Sequence, residues 1–247
     1  MSKDIAPALL EKIEKYFKQK MDSDSEIKTL TAKIKSGKAS YKDAQSYAIR
    51  VSEIMSEAFN VNLASDVLPD GKLYYNIASR IFNRTLGKDG TYGHISKYAK
   101  LVQEAINKNA GIGIRAIVPK INQDRIDGII DIVSGKDKFD DIKYMTGEHI
   151  INYGQAIVDD TVRVNAAFHG EAGLKAKVVR TTAKPCKWCE RRRGEYTYPD
   201  VPKEVYQRHK YCKCLVTYES GGKRPENIHT KEICYSRRAK EKEKYWT

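Results

Sequence analysis

Five side chains that favour soft metal ions fall within 29 positions of one another: Cys186, Cys189, His209, Cys212 and Cys214. They read C-x2-C, then 19 residues, then H-x2-C-x-C. Four of the five cysteines in the 247-residue chain lie in this segment, so chance placement explains it poorly. C-x2-C makes a tight knuckle that points two thiolates at one ion, and the second cluster returns across a hairpin to close the shell. A tetrahedral zinc ion takes four ligands, one fewer than the segment offers. The expected set is Cys186, Cys189 and two of His209, Cys212 and Cys214. A shell of four protein ligands leaves no position for water, so the expected cofactor is structural Zn2+. The competing readings of the same residues are a reduced thiol cluster without metal and a redox disulfide at C-x2-C.

Such a staple matters because the surrounding segment is small. The β-branched run 175–182 (KAKVVRTT) and the run 215–218 (LVTY) predict strands. Between them lie the first knuckle, a GEYTY stretch at 194–198 and a short helical piece from Pro202 to Arg208. A unit of this size buries too little apolar surface to stand easily without a cross-link.

Most of the chain before Gly173 carries helical periodicity instead. Ile5, Leu9, Ile13 and Phe17 recur at helical spacing. Ile27, Leu30 and Ile34 mark a second helix, stopped at Gly37. Ser40 and Asp43 form a capping signal for a third, whose apolar face runs Tyr47, Val51, Ile54 and Ala58. A turn at 69–71 precedes a helix with Leu73, Ile77 and Ile81. Ile95, Tyr98, Val102, Ala105 and Ile106 line another, ended by Gly111 and Gly113. Pro119 opens a segment with Ile126, Ile129, Ile130 and Val133 on one side. A long helix is expected from Thr146 or Gly147 to about Ala167. The predicted fold class is therefore mainly α: a multi-helix body over 1–173, a small zinc-stapled α+β module over 174–220, and a basic tail over 221–247.

Charge is distributed unevenly between these parts. The net charge is +13, and residues 181–247 hold 17 Lys/Arg against 9 Asp/Glu. Arg191, Arg192 and Arg193 follow the first knuckle, while Arg208, Lys210 and Lys213 crowd the second. These six are the expected contact residues for nucleic-acid phosphates or an acidic protein surface. No stretch approaches the ~18–20 uninterrupted apolar residues of a membrane span, and the N-terminus mixes acids and bases unlike a signal peptide. A reducing compartment follows, where clustered cysteines indicate metal or redox chemistry.

Other catalytic patterns are missing or badly spaced. GIGIRA at 111–116 lacks the later glycine of a phosphate loop and follows a helix. Asp159-Asp160 and Asp140-Asp141 read as helix-surface and capping acids. His94, His149 and His229 stand alone, as does Cys234. His169-Gly170-Glu171 and Pro185-Cys186-Lys187-Trp188-Cys189 carry the letters of a zinc deaminase. Only 13 residues separate Glu171 from Pro185, however, and a strand fills most of them. His209 as a general base in a zinc-stapled nuclease is the stronger catalytic alternative, opposed by its place among the ligands.

The run 177–218 resembles the C-terminal half of phage minor head proteins of the Mu F-like head morphogenesis family. The residues that carry the resemblance are Arg180-Thr181-Thr182-Ala183, Cys186-Lys187-Trp188-Cys189, Gly194-Glu195-Tyr196, and His209-Lys210-Tyr211-Cys212-Lys213-Cys214. Lys213 stands where the family usually has Arg, which keeps the charge. LPDGKLYY at 68–75 and GEHIINYGQAIVDDTVRVNA at 147–166 extend the likeness to about 47–218. The resemblance implies a virion protein, present in few copies, that joins the procapsid near the portal by way of portal, scaffold or major capsid protein. It implies localisation in the capsid interior or portal region, and in the host cytoplasm during assembly. In some phages such proteins contact DNA and leave with it. Some members carry a fused toxin, and the short stretch beyond the module argues against an enzyme here. The alternative function is a zinc-containing nucleic-acid-binding protein or nuclease acting on DNA.

Overall fold

The structure is a computed structural model and describes residues 4–182 and 186–220. The expected basic tail, with His229 and Cys234, lies outside the described residues. Seven helices precede the sheet: α1 (Ala6–Ser23), α2 (Ser25–Lys35), α3 (Tyr41–Asn62), α4 (Tyr75–Leu86), α5 (Thr91–Asn109), α6 (Gln123–Ser134) and α7 (Lys143–Glu171). Then come β1 (Ala176–Thr181), a single helical turn α8 (Lys187–Glu190), β2 (Gly194–Thr197) and β3 (Leu215–Ser220). The described residues are thus mainly helical with one small antiparallel sheet in order β2-β1-β3.

The helical periods place the core. Leu9, Ile13 and Phe17 of α1 are buried, as are Ile27 and Ile34 of α2 and Tyr47, Val51, Ile54 and Ala58 of α3. The capping box at the start of α3 forms, with the Asp43 carboxylate accepting from the Ser40 backbone N–H at 2.8 Å. α3 and α7 are the central pair. Contacts of Gln45 with Asp159 and of Ser52 with Gly154 show that they run antiparallel. Gly154 sets their spacing: a Cβ there would lie 2.0 Å from the Ser52 hydroxyl and 3.0 Å from Ile95. Any side chain at 154 would push α7 off α3 and α5.

α7 runs longer than its periodicity indicated, starting three residues before Thr146 and ending four after Ala167. Its 29 residues span roughly 43 Å. Its last turn carries His169 against Tyr218 of the sheet. The GEYTY stretch, not expected as a strand, supplies β2, paired to β1 with Val178 opposite Tyr196. Four residues of alternating half-exposure give an edge strand too little pattern to read from sequence.

The inner face of the sheet joins the core of the bundle. Ala176, Val178, Val216 and Tyr218 belong to the same apolar cluster as the helices, and β1 and β3 pack on α3 and α7. The Tyr218 hydroxyl lies 2.7 Å from His169 Nδ1 at the end of α7. Strand alternation puts Arg180 on this inner face with Ala176 and Val178, and Arg180 is 1% exposed. That register carries a charged side chain to the edge of the cysteine cluster.

Candidate metal centre

Cys189, Cys212 and Cys214 are buried together as a small cluster of their own, with Trp188 packed against them. Their sulfurs lie within 4.8 Å of one another, and so do the ligand atoms of Cys186, Cys189 and His209. Cys189 belongs to both groups, so the two three-residue groups adjoin, and each could hold a metal. The first knuckle is preorganised by its own backbone. Cys186 caps α8, its sulfur accepting from the Cys189 N–H at 3.4 Å.

The imidazole is oriented as a ligand. His209 Nδ1 lies 2.6 Å from the carbonyl oxygen of Lys210, which can only accept, so Nδ1 carries the proton. The lone pair on Nε2 then points at the sulfurs of Cys189 and Cys186, 2.9 and 3.4 Å away. In a tetrahedral zinc shell, bond lengths of about 2.3 Å to sulfur and about 2.0 Å to nitrogen put neighbouring S and N atoms about 3.5 Å apart. The Cys186–His209 separation matches such an edge, and the carbonyl behind Nδ1 is the usual outer partner of a ligating histidine. The indole of Trp188 stands edge-on to the His209 ring, centroids 5.1 Å apart, and Arg192 stacks on the indole at 3.7 Å. The aromatic inside C-x2-C therefore holds the histidine in place.

The thiols differ in how readily they yield thiolate. A hydrogen bond from Cys212 brings Cys214 down to about 6, while the same pairing and burial push Cys212 up to about 12. The Cys189 backbone N–H lowers Cys186, and burial raises Cys189. Two arginines supply positive charge. Arg180 bonds the carbonyls of Val205 and of Gln207 (2.8 Å), and its Nη2 reaches Cys212 Sγ at 3.6 Å. This guanidinium crosses from β1 to the segment ahead of the second knuckle and ends on a thiol.

Arg208 requires a correction. It was expected on the surface as a contact for phosphates or acids. Its side chain is instead 1% exposed and forked onto Asp159 of α7, with Nε–Oδ2 at 2.5 Å and Nη2–Oδ1 at 2.8 Å. Its remaining nitrogen donates to the carbonyl of Cys214 at 3.1 Å. Asp159, expected as a helix-surface acid, is accordingly buried and also accepts from Gln45 of α3 at 2.8 Å. Burial pushes the Asp159 carboxyl upward against the pull of Arg208, and burial pulls Arg208 down less than Asp159 raises it. The alternation of a long amphipathic helix does not announce an inward acid. The partner that would have revealed it lies 49 residues away.

The other basic candidates divide by what they already touch. Arg192 is engaged with Trp188, and Arg193 pairs with Glu190 at 3.2 Å. Arg191, Lys210 and Lys213 are exposed beside the cluster. His94 lies elsewhere, edge-on to Phe17 beside a cavity of about 420 Å3 that includes Met21, Met55 and Arg84. Burial holds the pKa of His149 on α7 down, and the nearby charge of Lys210 adds to this. No helix among the described residues is long and apolar enough to cross a membrane. In comparisons with family models, curated proteins and solved structures, the chain matches none.

Proposed function

We propose that the chain is a phage minor head protein of the Mu F-like class, which acts in head morphogenesis by being positioned near the portal. One observation carries this reading. Seven of the residues behind the sequence resemblance, Arg180, Cys186, Trp188, Cys189, His209, Cys212 and Cys214, gather at the two adjoining ligand groups. A motif that brings its cysteines, histidine and aromatic to one neighbourhood behaves as a structural signature rather than as scattered coincidences. The ion is Zn2+, held by Cys186, Cys189 and His209 with Cys212 or Cys214 as the fourth ligand. When bound, it supplies a fixed cross-link between the two knuckles. Three thiols and a tautomer-fixed imidazole suit that ion, and four protein ligands leave no place for an activated water. His209 also has both ring nitrogens engaged, one toward the sulfurs and one on a backbone carbonyl, which argues against a general base. The exposed Arg191, Lys210 and Lys213 then face packaged or ejected DNA, a contact governed by phosphate charge.

The test is incorporation. The chain is expected to co-purify with portal-containing procapsids, in amounts well below those of the major capsid protein. Cys189→Ser should lower incorporation by unfolding the cysteine-bearing module. Metal-dependent cleavage of DNA by purified chain, abolished by His209→Ala in a still-folded protein, would replace this reading with the nuclease.

A further inference from the structure

The second knuckle displays an aromatic ring in a way that its fold does not need. The Cys212 N–H bonds the His209 carbonyl at 3.1 Å, closing a four-residue turn. Tyr211 occupies the third position of that turn with φ +60. A positive φ there belongs to glycine or asparagine, and for a bulky side chain it is a costly conformation. Strain held in this manner marks places where the side chain is wanted for its own sake. Tyr211 is 61% exposed, whereas Tyr218 is buried and Tyr196, Tyr198 and Tyr206 are half-buried against the core. The ring therefore contributes little to packing.

Its surroundings are basic. Lys210 Nζ lies 4.9 Å from the ring centroid, Lys213 is exposed two residues on, and residues 205–218 contain no acid. Lys187 and Arg191 are exposed on the facing knuckle, whose acid, Glu190, is taken up by Arg193. The turn is anchored at both ends by cluster residues, His209 and Cys212, so ordering the ring on binding costs little entropy.

We propose that Tyr211 is a stacking platform for an unpaired base, and that this surface takes single-stranded nucleic acid. The proposal rests on the reading of the basic surface as a DNA contact and specifies the form of nucleic acid it prefers. An exposed ring among lysines suits a single strand because every unpaired base offers a π-face while the lysines follow the phosphates. In a duplex those faces are covered by neighbouring pairs, and the ring would gain nothing.

Binding of fluorescein-labelled 20-nucleotide oligothymidylate, a duplex of equal length and an abasic oligomer of equal charge should be measured at low salt with the full chain. Tyr211→Ala is expected to weaken oligothymidylate binding roughly 5- to 150-fold and duplex or abasic binding less than about twofold. Tyr211→Phe should retain the affinity. Tyr211→Gly relieves the backbone, so it should bind as poorly as the alanine variant while melting no lower than wild type. Unchanged oligothymidylate binding in the alanine and glycine variants, or an equal loss on all three probes, would overturn the stacking role and leave the DNA contact standing. Absence of binding to any of the probes by the wild-type chain would overturn both and leave an acidic protein surface as the partner.

Discussion

Asp159→Asn tests the tie between the metal centre and the bundle. The side chains of Asp159 and Arg208 are each 1% exposed and joined by two charge-assisted bonds, with Gln45 holding the carboxylate from α3 and the Cys214 carbonyl holding the guanidinium. Asparagine keeps the shape and one acceptor but removes the charge, leaving a buried guanidinium with only neutral partners. Breaking a buried pair from one side costs about 3–5 kcal/mol, and the retained acceptor places this case near about 3. For a chain of this size that lowers Tm by roughly 6–12 °C. Urea denaturation followed by circular dichroism at fixed zinc gives the stability, and competition with a chromophoric chelator gives metal affinity. Both should fall, because Arg208 directly precedes His209 and grips the backbone of Cys214. The double variant Asp159→Leu/Arg208→Met removes both charges and should regain most of the loss, since a buried pair replaced by apolar groups of similar volume is often near neutral. A single variant within about 0.5 kcal/mol of wild type would refute the reasoning, as would a double variant no better than the single one.

Arg180→Met should destabilise the chain by about 3 kcal/mol, because it strips charged hydrogen bonds from the buried carbonyl of Val205 and the part-buried carbonyl of Gln207; urea midpoints measure it, and a loss under about 1 kcal/mol would count against the role of Arg180. His169 is wholly buried with Nε2 unpartnered, and burial holds its pKa below the ordinary value. The unfolded histidine takes a proton near pH 6.5 that the folded one refuses, so this contribution is intact above about 6.5 and shrinks as pH falls below it. Wild type should therefore lose more stability on acidification from pH 7.5 to 5.5 than His169→Phe, and equal losses would contradict the assignment. If Arg191, Lys210 and Lys213 touch phosphates, DNA affinity should fall steeply with salt. Each alanine substitution should then reduce the slope of log K against log salt by about 0.9 for duplex and about 0.7 for single strands, and an unchanged slope would remove that residue from the contact.

The helices were legible because each writes its burial at a spacing of three and four. Ile13, Val51, Ile54, Ile130 and Val133 all sit where that rhythm puts them. The cysteine and histidine spacing likewise brought the cluster into view, since ligand knuckles are local in sequence. What stayed hidden depends on pairs far apart in the chain. Nothing near Asp159 points to Arg208, and nothing near Arg208 says that its charge turns inward, so surface chemistry was the natural reading of both. Arg180 was partly readable: once 175–182 is a strand, alternation places it with Ala176 and Val178. The role of Trp188 as a rest for His209 emerges only when the two knuckles are brought face to face. The strain at Tyr211 is a property of one torsion angle that no composition or period encodes.

The central claim is a closed metal shell that staples the two knuckles. X-ray absorption at the zinc edge, on chain whose metal content has been measured by plasma emission, tests it most directly. The account predicts one zinc per chain, with three sulfurs at about 2.3 Å, one imidazole nitrogen at about 2.0 Å, and collapse of the 186–214 segment on chelation. Zinc well below one equivalent in a chain whose sheet remains folded, or an oxygen from water in the shell, would contradict it.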